Sequence, residues 1–322
     1  MTGQTRGRRM PVPGPADADG QHAGPGIFAR VFPRGDAASV AGAVHDAGYR
    51  LTQLNLSVLG AETLPDIGGW RDVDPVAVSM AFEHAGVEIW GLSGTYNMAH
   101  PDAEVRRAGT RRARALIARA REFGAGVVTL CTGSRSRRSM WEAHPDNASG
   151  GAWSDMMTEL SLLVNQARTA DVVLGIEPEP GNVVADAAAG SRLARELGDG
   201  AERLGFILDP ANLLAGAAPE AHEPVLRDAF ASLGERTVCV HAKDLVPWEE
   251  TIAGRGRVDY RLVGELMRSL PADVPVIVQD VPATRAAEAR RWLVDALADD
   301  GRRSHRATVA GTPLSRTRSI RS

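Results

Sequence analysis

Four short apolar runs end, one after another, on a residue able to bind a metal ion or exchange a proton. Val172-Val173-Leu174-Gly175-Ile176 precedes Glu177, Leu204-Gly205-Phe206-Ile207-Leu208 precedes Asp209, Val238-Cys239-Val240 precedes His241, and Val274-Pro275-Val276-Ile277-Val278 precedes Gln279. The successive intervals of 32, 32 and 38 residues each hold one strand, one helix and two loops. Consecutive parallel strands point the same way, so in a closed eight-fold barrel their C-terminal ends converge on one mouth. The pattern predicts an α/β protein with a (β/α)8 TIM-barrel fold and these four side chains at its mouth.

The first half of the chain supports the same rhythm. Apolar runs over 27–32, 51–57, 87–92 and 127–131 supply four more strands. None shows strict polar alternation, as expected for parallel strands covered by helices. Between strands, residues 104–123 carry Ala113, Leu116, Ile117 and Ala120 on one stripe and Arg111, Arg112, Arg114, Arg119 and Arg121 on much of the rest, with Gly124 as a stop. Helices are likewise expected over 153–168 and 283–297. One barrel domain therefore spans 25–300. Residues 1–24, rich in Pro, Gly and Asp, and the basic stretch 301–322 with its six arginines are expected to be disordered extensions.

Bulk properties exclude several classes. A formal charge of −3 gives no field that gathers polyanions, which speaks against nucleic-acid binding. No apolar run approaches a membrane span, and the N-terminal arginines are not followed by the apolar core of a signal peptide, so residence in the cytoplasm is the expectation. With only Cys131 and Cys239, both inside strand runs, no disulfide framework is expected.

Glu177, Asp209, His241 and Gln279 make a mixed oxygen and nitrogen donor set suited to one divalent ion, Mn²⁺, Mg²⁺, Co²⁺ or Zn²⁺. Asp209 has a competing reading as a helix N-cap before Pro210, and Gln279 as a simple pocket hydrogen bonder. Around them stand candidate catalytic and binding residues. Glu179 points the same way as Glu177 if extended backbone continues, and serves as a base or as support for the metal ligands. Lys243 can neutralise a developing oxyanion. His144, in a loop of about 20 residues after the fourth strand, is a candidate proton shuttle. Trp141 in that loop is a candidate pocket wall, and His100, Asn182, Asn212 and Arg255 are candidate substrate contacts. The stretch 253–260 lacks a Walker pattern and is not a phosphate loop.

As an ordered set, several segments resemble the sugar phosphate isomerase/epimerase superfamily, with its xylose-isomerase-like barrel. They are Asn97-Met98-Ala99-His100-Pro101-Asp102, Leu130-Cys131-Thr132-Gly133-Ser134-Arg135, Met140-Trp141 with His144-Pro145-Asp146-Asn147, Glu177-Pro178-Glu179 with Asn182, Asp209-Pro210-Ala211-Asn212-Leu213, His241-Ala242-Lys243-Asp244 and the segment from Gly254 to Asp259. The resemblance covers about residues 26–298 and implies a Mn²⁺-like ion on Glu177, Asp209 and His241. It also implies a sugar or keto-sugar isomerase or epimerase that removes a proton beside a carbonyl. Epimerases of this superfamily carry a glutamate as fourth ligand where this chain has Gln279, and many carry a histidine where it has Asn212. One branch of similar barrels cleaves C-glycosides of 3-oxo-glucose by deprotonation at C2 and elimination, with a small partner subunit. That lyase chemistry is the alternative expectation. Minor alternatives are a non-catalytic sugar-binding barrel and an abasic-site endonuclease. Expected partners are a small sugar or glycoside and a second copy of the chain, or a small second subunit under the lyase reading.

Overall fold

In the computed structural model of the chain, residues 24–60, 73–246 and 249–298 are described. The expected extensions over 1–24 and 301–322 lie outside these residues, apart from Gly24. Eight parallel strands close into a barrel: β1 (Gly26–Phe28), β2 (Leu51–Leu54), β3 (Glu88–Ser93), β4 (Val127–Leu130), β5 (Val173–Ile176), β6 (Leu204–Leu208), β7 (Thr237–Ala242) and β10 (Val276–Val278). The order around the barrel is β1-β10-β7-β6-β5-β4-β3-β2. Closure is carried by the β1–β10 pairing, with Gly26 opposite Ile277 and Ile27 opposite Val278. Strands β8 (Asp244–Val246) and β9 (Glu249–Thr251) form a separate antiparallel pair after β7.

The barrel fold is as the strand-end spacing predicts. Its connecting helices are α1 (Ala37–Asp46), α2 (Pro75–His84), α3 (Ala103–Arg119), α4 (Gly150–Ala170), α5 (Ala187–Leu197), α6 (Pro210–Leu214), α7 (His222–Leu233), α8 (Tyr260–Met267) and α9 (Ala286–Ala298). Their starts follow from local chemistry. Asp36, Asp74, Asp102, Ser149, Asp186, Asp209 and Asp259 each accept from a backbone N–H of the first turn. Several boundaries differ from the sequence reading: the helix expected over 104–123 ends at Arg119 and continues as a 3-10 turn through Phe123, that expected over 153–168 runs from Gly150 to Ala170, and that expected from 283 begins at Ala286 after a 3-10 turn. The strand expected over 27–32 likewise gives way at Ala29 to a turn of 3-10 helix, so Arg30 leaves the sheet at the barrel mouth.

Two layers of apolar burial hold the barrel. The larger lies between strands and helices, where the α3 stripe of Ala113, Leu116 and Ile117 is fully buried. The smaller fills the interior with Phe28, Leu51, Trp90, Val127, Val173, Ile207, Val238, Cys239 and Ile277, so every barrel strand contributes. This plug makes the barrel a packed core rather than a pore and places any site above it, at the C-terminal strand ends.

Candidate metal centre and its cavity

Glu177, Asp209 and His241 follow or end β5, β6 and β7, three neighbouring strands, and their ligand atoms lie within 4.8 Å of one another. Gln279 follows β10, the next strand round, and its Nε2 is 2.8 Å from His241 Nδ1. All four residues of the predicted donor set therefore meet at one place.

Asp209 satisfies both of its sequence readings, because a carboxylate has two oxygens. Oδ1 accepts from the backbone N–H of Ala211 at 2.8 Å and of Asn212 at 3.3 Å, capping α6. Oδ2 is fully buried with no hydrogen-bond partner, and the Lys243 Nζ stands 3.5 Å away, an ion-pair distance. An orphaned carboxylate oxygen beside an imidazole nitrogen and a second carboxylate is what a small divalent cation would satisfy, so the donor set fits one.

The electrostatics agree. Burial pushes the Asp209 carboxyl up to about 6, against the pull of Lys243, and the adjacent Glu177 carboxylate adds to the rise. For Glu177 burial also acts upward, but the charge and hydrogen bond of His241, with Lys243, outweigh it and hold the carboxyl below its ordinary value. His241 is itself oriented. Its Nε2 stands 2.9 Å from Gln53 Oε1, and Gln53 Nε2 donates to Thr129 Oγ1 at 3.2 Å. With Nε2 held by Gln53, Nδ1 is turned to the cradle, 3.3 Å from Glu177 Oε1 and 2.8 Å from Gln279 Nε2.

Beside this cradle lies a cavity of about 520 Å³ lined by Glu177, Glu179, Lys243 and Gln279 from the predicted set, and by Trp141. Hydroxyl and amide side chains, among them Gln53, Asn55, Ser93 and Thr129, make up much of the remaining wall. Asn212 Nδ2 donates to Glu177 Oε1 at 2.8 Å and to Glu179 Oε2 at 2.6 Å, so it positions both carboxylates. Asn182 spends both ends of its amide on the loop after β4: Oδ1 accepts from Gly133 N–H at 2.6 Å and Nδ2 donates to the Met140 carbonyl at 2.9 Å. It shapes the cavity wall by holding that loop.

Three predicted residues stand elsewhere. His144 Nδ1 accepts from Asp146 N–H, capping a 3-10 turn, and its partly exposed ring lines a separate surface hollow with Arg135 and Arg138. The same local cap at His100 accepts from Asp102 N–H. Arg255 is exposed and pairs with Glu288 of α9. None of the three is among the residues lining the 520 Å³ cavity. Asp244 accepts three backbone N–H groups, from Leu245, Gly254 and Val258. Gln53, Arg30 and Asp280 are cavity residues not singled out from sequence. For Gln53 the available signal was an amide inside the short run of β2, beside Thr52.

Set against known families, residues 42–296 match the xylose isomerase-like TIM barrel. Among solved structures, a 3-keto-D-glucoside 4-epimerase from E. coli is similar with a TM-score of 0.65 and 16% identity, over 84% of this chain and 98% of that one. An L-ribulose 3-epimerase is similar with a TM-score of 0.65 and 17% identity, over 90% and 100%. A xylose isomerase-like TIM barrel protein from Mycobacterium smegmatis in complex with magnesium has a TM-score of 0.61 and 16% identity, over 85% and 96%. At such identities the likeness is one of fold. No curated protein matches the chain. Among the described residues no helix is long and apolar enough to cross a membrane.

Proposed function

The chain belongs to the xylose isomerase-like TIM barrel family, and on that premise we propose that it is a divalent-metal-dependent isomerase or epimerase of sugars or keto-sugars. The observation that carries this reading is the meeting of Glu177, Asp209 and His241 within 4.8 Å, beside a cavity walled largely by polar groups. Gln279 completes the donor set. A divalent ion held there, with Mn²⁺ first in expectation, supplies Lewis-acid polarisation of a bound carbonyl.

The residues of the chain divide the remaining work. Glu179 is the base in this reading: it lines the cavity, stands outside the three-residue cluster, and is fixed by Asn212. It takes the proton from the carbon next to the carbonyl, and the electron pair of that C–H bond moves onto the carbonyl oxygen to give an enediolate. The buried Lys243 ammonium faces the same cavity and offsets the charge that develops there. Glu179 then returns the proton to the neighbouring carbon while the hydroxyl proton of the enediolate passes to the former carbonyl oxygen, which isomerises the sugar. Delivery to the opposite face of the original carbon needs a second donor and epimerises it. Trp141 supplies an aromatic face to the cavity wall.

One observation favours a second reading. The amide of Gln279 cannot act as a base near neutral pH, and elimination from a 3-oxo-C-glucoside needs only one base to begin. Proton removal at C2, loss of the C1 bond and protonation of the leaving aglycone balance that reaction. Incubation of the metal-loaded protein in D₂O with free ketohexoses and with 3-oxo-glucosides, followed by NMR, tests both. Deuterium beside the carbonyl with a new sugar supports the first reading, and released aglycone supports the second. Absence of exchange and of release across the panel contradicts both.

A further inference from the structure

Arg30 and Asp280 follow neighbouring strands, β1 and β10, and both line the cavity. Asp280 has φ 50, one of two described non-glycine residues in the left-handed region. The other, Asp171, is the C-cap of α4, an ordinary place for that conformation. No helix ends at Asp280. There the unfavourable backbone directly follows Gln279 and puts a carboxylate on the cavity wall, a placement that strained residues commonly serve at binding sites. Arg30 lies with its guanidinium 5.2 Å from the centre of the Phe28 ring and Nη2 3.8 Å from Asp280 Oδ1. That separation is an ion pair but too long for a hydrogen bond, so a ligand hydroxyl can reach both groups.

The charge around the cavity adds a constraint. Glu177, Glu179, Asp209 and Asp280 supply four carboxylates, against two cations, Lys243 and Arg30. Lys243 already stands against Asp209, and Arg30 against Asp280. A divalent cation in the cradle brings the sum to zero, leaving no positive excess for a phosphate monoester.

We propose that Arg30 and Asp280 are the specificity pair of this cavity, donating to and accepting from adjacent hydroxyls of an uncharged sugar and disfavouring sugar phosphates. This rests on the isomerase/epimerase reading and adds the charge of the substrate and the residues that select it. The carboxylate matched to one hydroxyl and the guanidinium to the next discriminate among sugars by hydroxyl configuration, because a mismatched hydroxyl loses a charge-assisted hydrogen bond to one member of the pair.

The test uses the full chain loaded with Mn²⁺ and a panel of free ketohexoses, 3-oxo-glucosides and ketohexose phosphates, read by deuterium exchange. Uncharged sugars are expected to exchange with kcat/KM at least tenfold above their phosphate esters. Arg30→Met and Asp280→Asn should each lower kcat/KM for the best uncharged sugar tenfold or more, mostly through KM, with metal content and circular dichroism as in the parent. Asp280→Asn should also narrow the gap between free sugar and phosphate ester. Preferential exchange of phosphate esters, or unchanged KM in both variants, overturns the specificity pair while leaving the isomerase/epimerase reading intact. No exchange by any member of the panel overturns that reading and this inference with it.

Discussion

Replacing Asp209 by asparagine should abolish metal binding and, in metal-free protein at pH 8, raise stability. The substitution keeps an oxygen to cap α6, where Oδ1 accepts from Ala211 and Asn212, and removes the buried charge on Oδ2. Burial raises the Asp209 pKa from 3.8 to about 6. That displacement corresponds to roughly 3 kcal/mol. The sign follows from linkage: the folded protein prefers protonated Asp209, so this stabilising contribution is full below about pH 4 and is lost as pH rises through about 6. At pH 8 the ionised carboxylate is a net cost in the absence of a cation. Asparagine removes that cost but also the Lys243 ion pair, so a net gain of about 1–3 kcal/mol is expected. At about 2–4 °C per kcal/mol for a domain of this size, Tm should rise by roughly 3–10 °C. Thermal unfolding followed by circular dichroism in chelator, at pH 4 and pH 8, reads the effect, which should vanish at the lower pH. Added Mn²⁺ at about 1,000 times its Kd should stabilise the parent by about 4 kcal/mol and the variant not at all. Lower metal-free stability of the variant at pH 8, or stoichiometric metal retained by it, would refute the reasoning.

Other substitutions separate the remaining roles. Glu179→Gln should lower solvent exchange of the substrate proton about 10²-fold or more, whereas His144→Ala should leave exchange close to the parent; the reverse outcome moves the base to the loop after β4. Gln53→Leu removes the acceptor for His241 Nε2, and metal affinity measured by calorimetry should fall about 10–100-fold; unchanged affinity would show that the imidazole needs no such partner. Asn182→Ala strands the buried Gly133 N–H and Met140 carbonyl and should cost about 2–4 kcal/mol in denaturant unfolding, a loss below about 1 kcal/mol arguing that the loop relaxes. Gly181→Ala places a Cβ on the carbonyl oxygen of Trp141, so KM should rise as the wall shifts, and an unchanged KM would remove Trp141 from the substrate's surroundings.

The barrel and the cradle were legible for the same physical reason. Parallel strands buried on both faces are mostly apolar, so the polar residue that ends each one stands out, and intervals of one βα unit put those residues at one mouth. Glu177, Asp209, His241 and Gln279 were found in this way. What escaped depends on contacts distant in sequence. Gln53 orients His241 across 188 residues, and nothing local to β2 announces that partnership. The path of the loop after β4 is set by Asn97, Asn147 and Asn182, whose amides bond the backbone of Ser134, Arg135, Gly133, Met140 and Gly181. Without that path His144 reads as a residue of the mouth, and with it the ring faces a surface hollow. Arg255 and His100 mislead similarly, because the partners that hold them, Glu288 on α9 and the N–H of Asp102, leave no periodic trace. Arg30 and Asp280 were hidden by their backbone: one leaves the strand in a 3-10 turn and the other adopts a left-handed conformation that sequence gives little reason to expect of aspartate.

Anomalous diffraction at the manganese edge from crystals of the Mn²⁺-loaded chain tests the central claim most directly. One strong peak is predicted, within about 2.0–2.3 Å of a Glu177 oxygen, Asp209 Oδ2 and His241 Nδ1, with the Gln279 amide turned to present its oxygen. A peak elsewhere, or none at this cradle under saturating metal, would contradict the account.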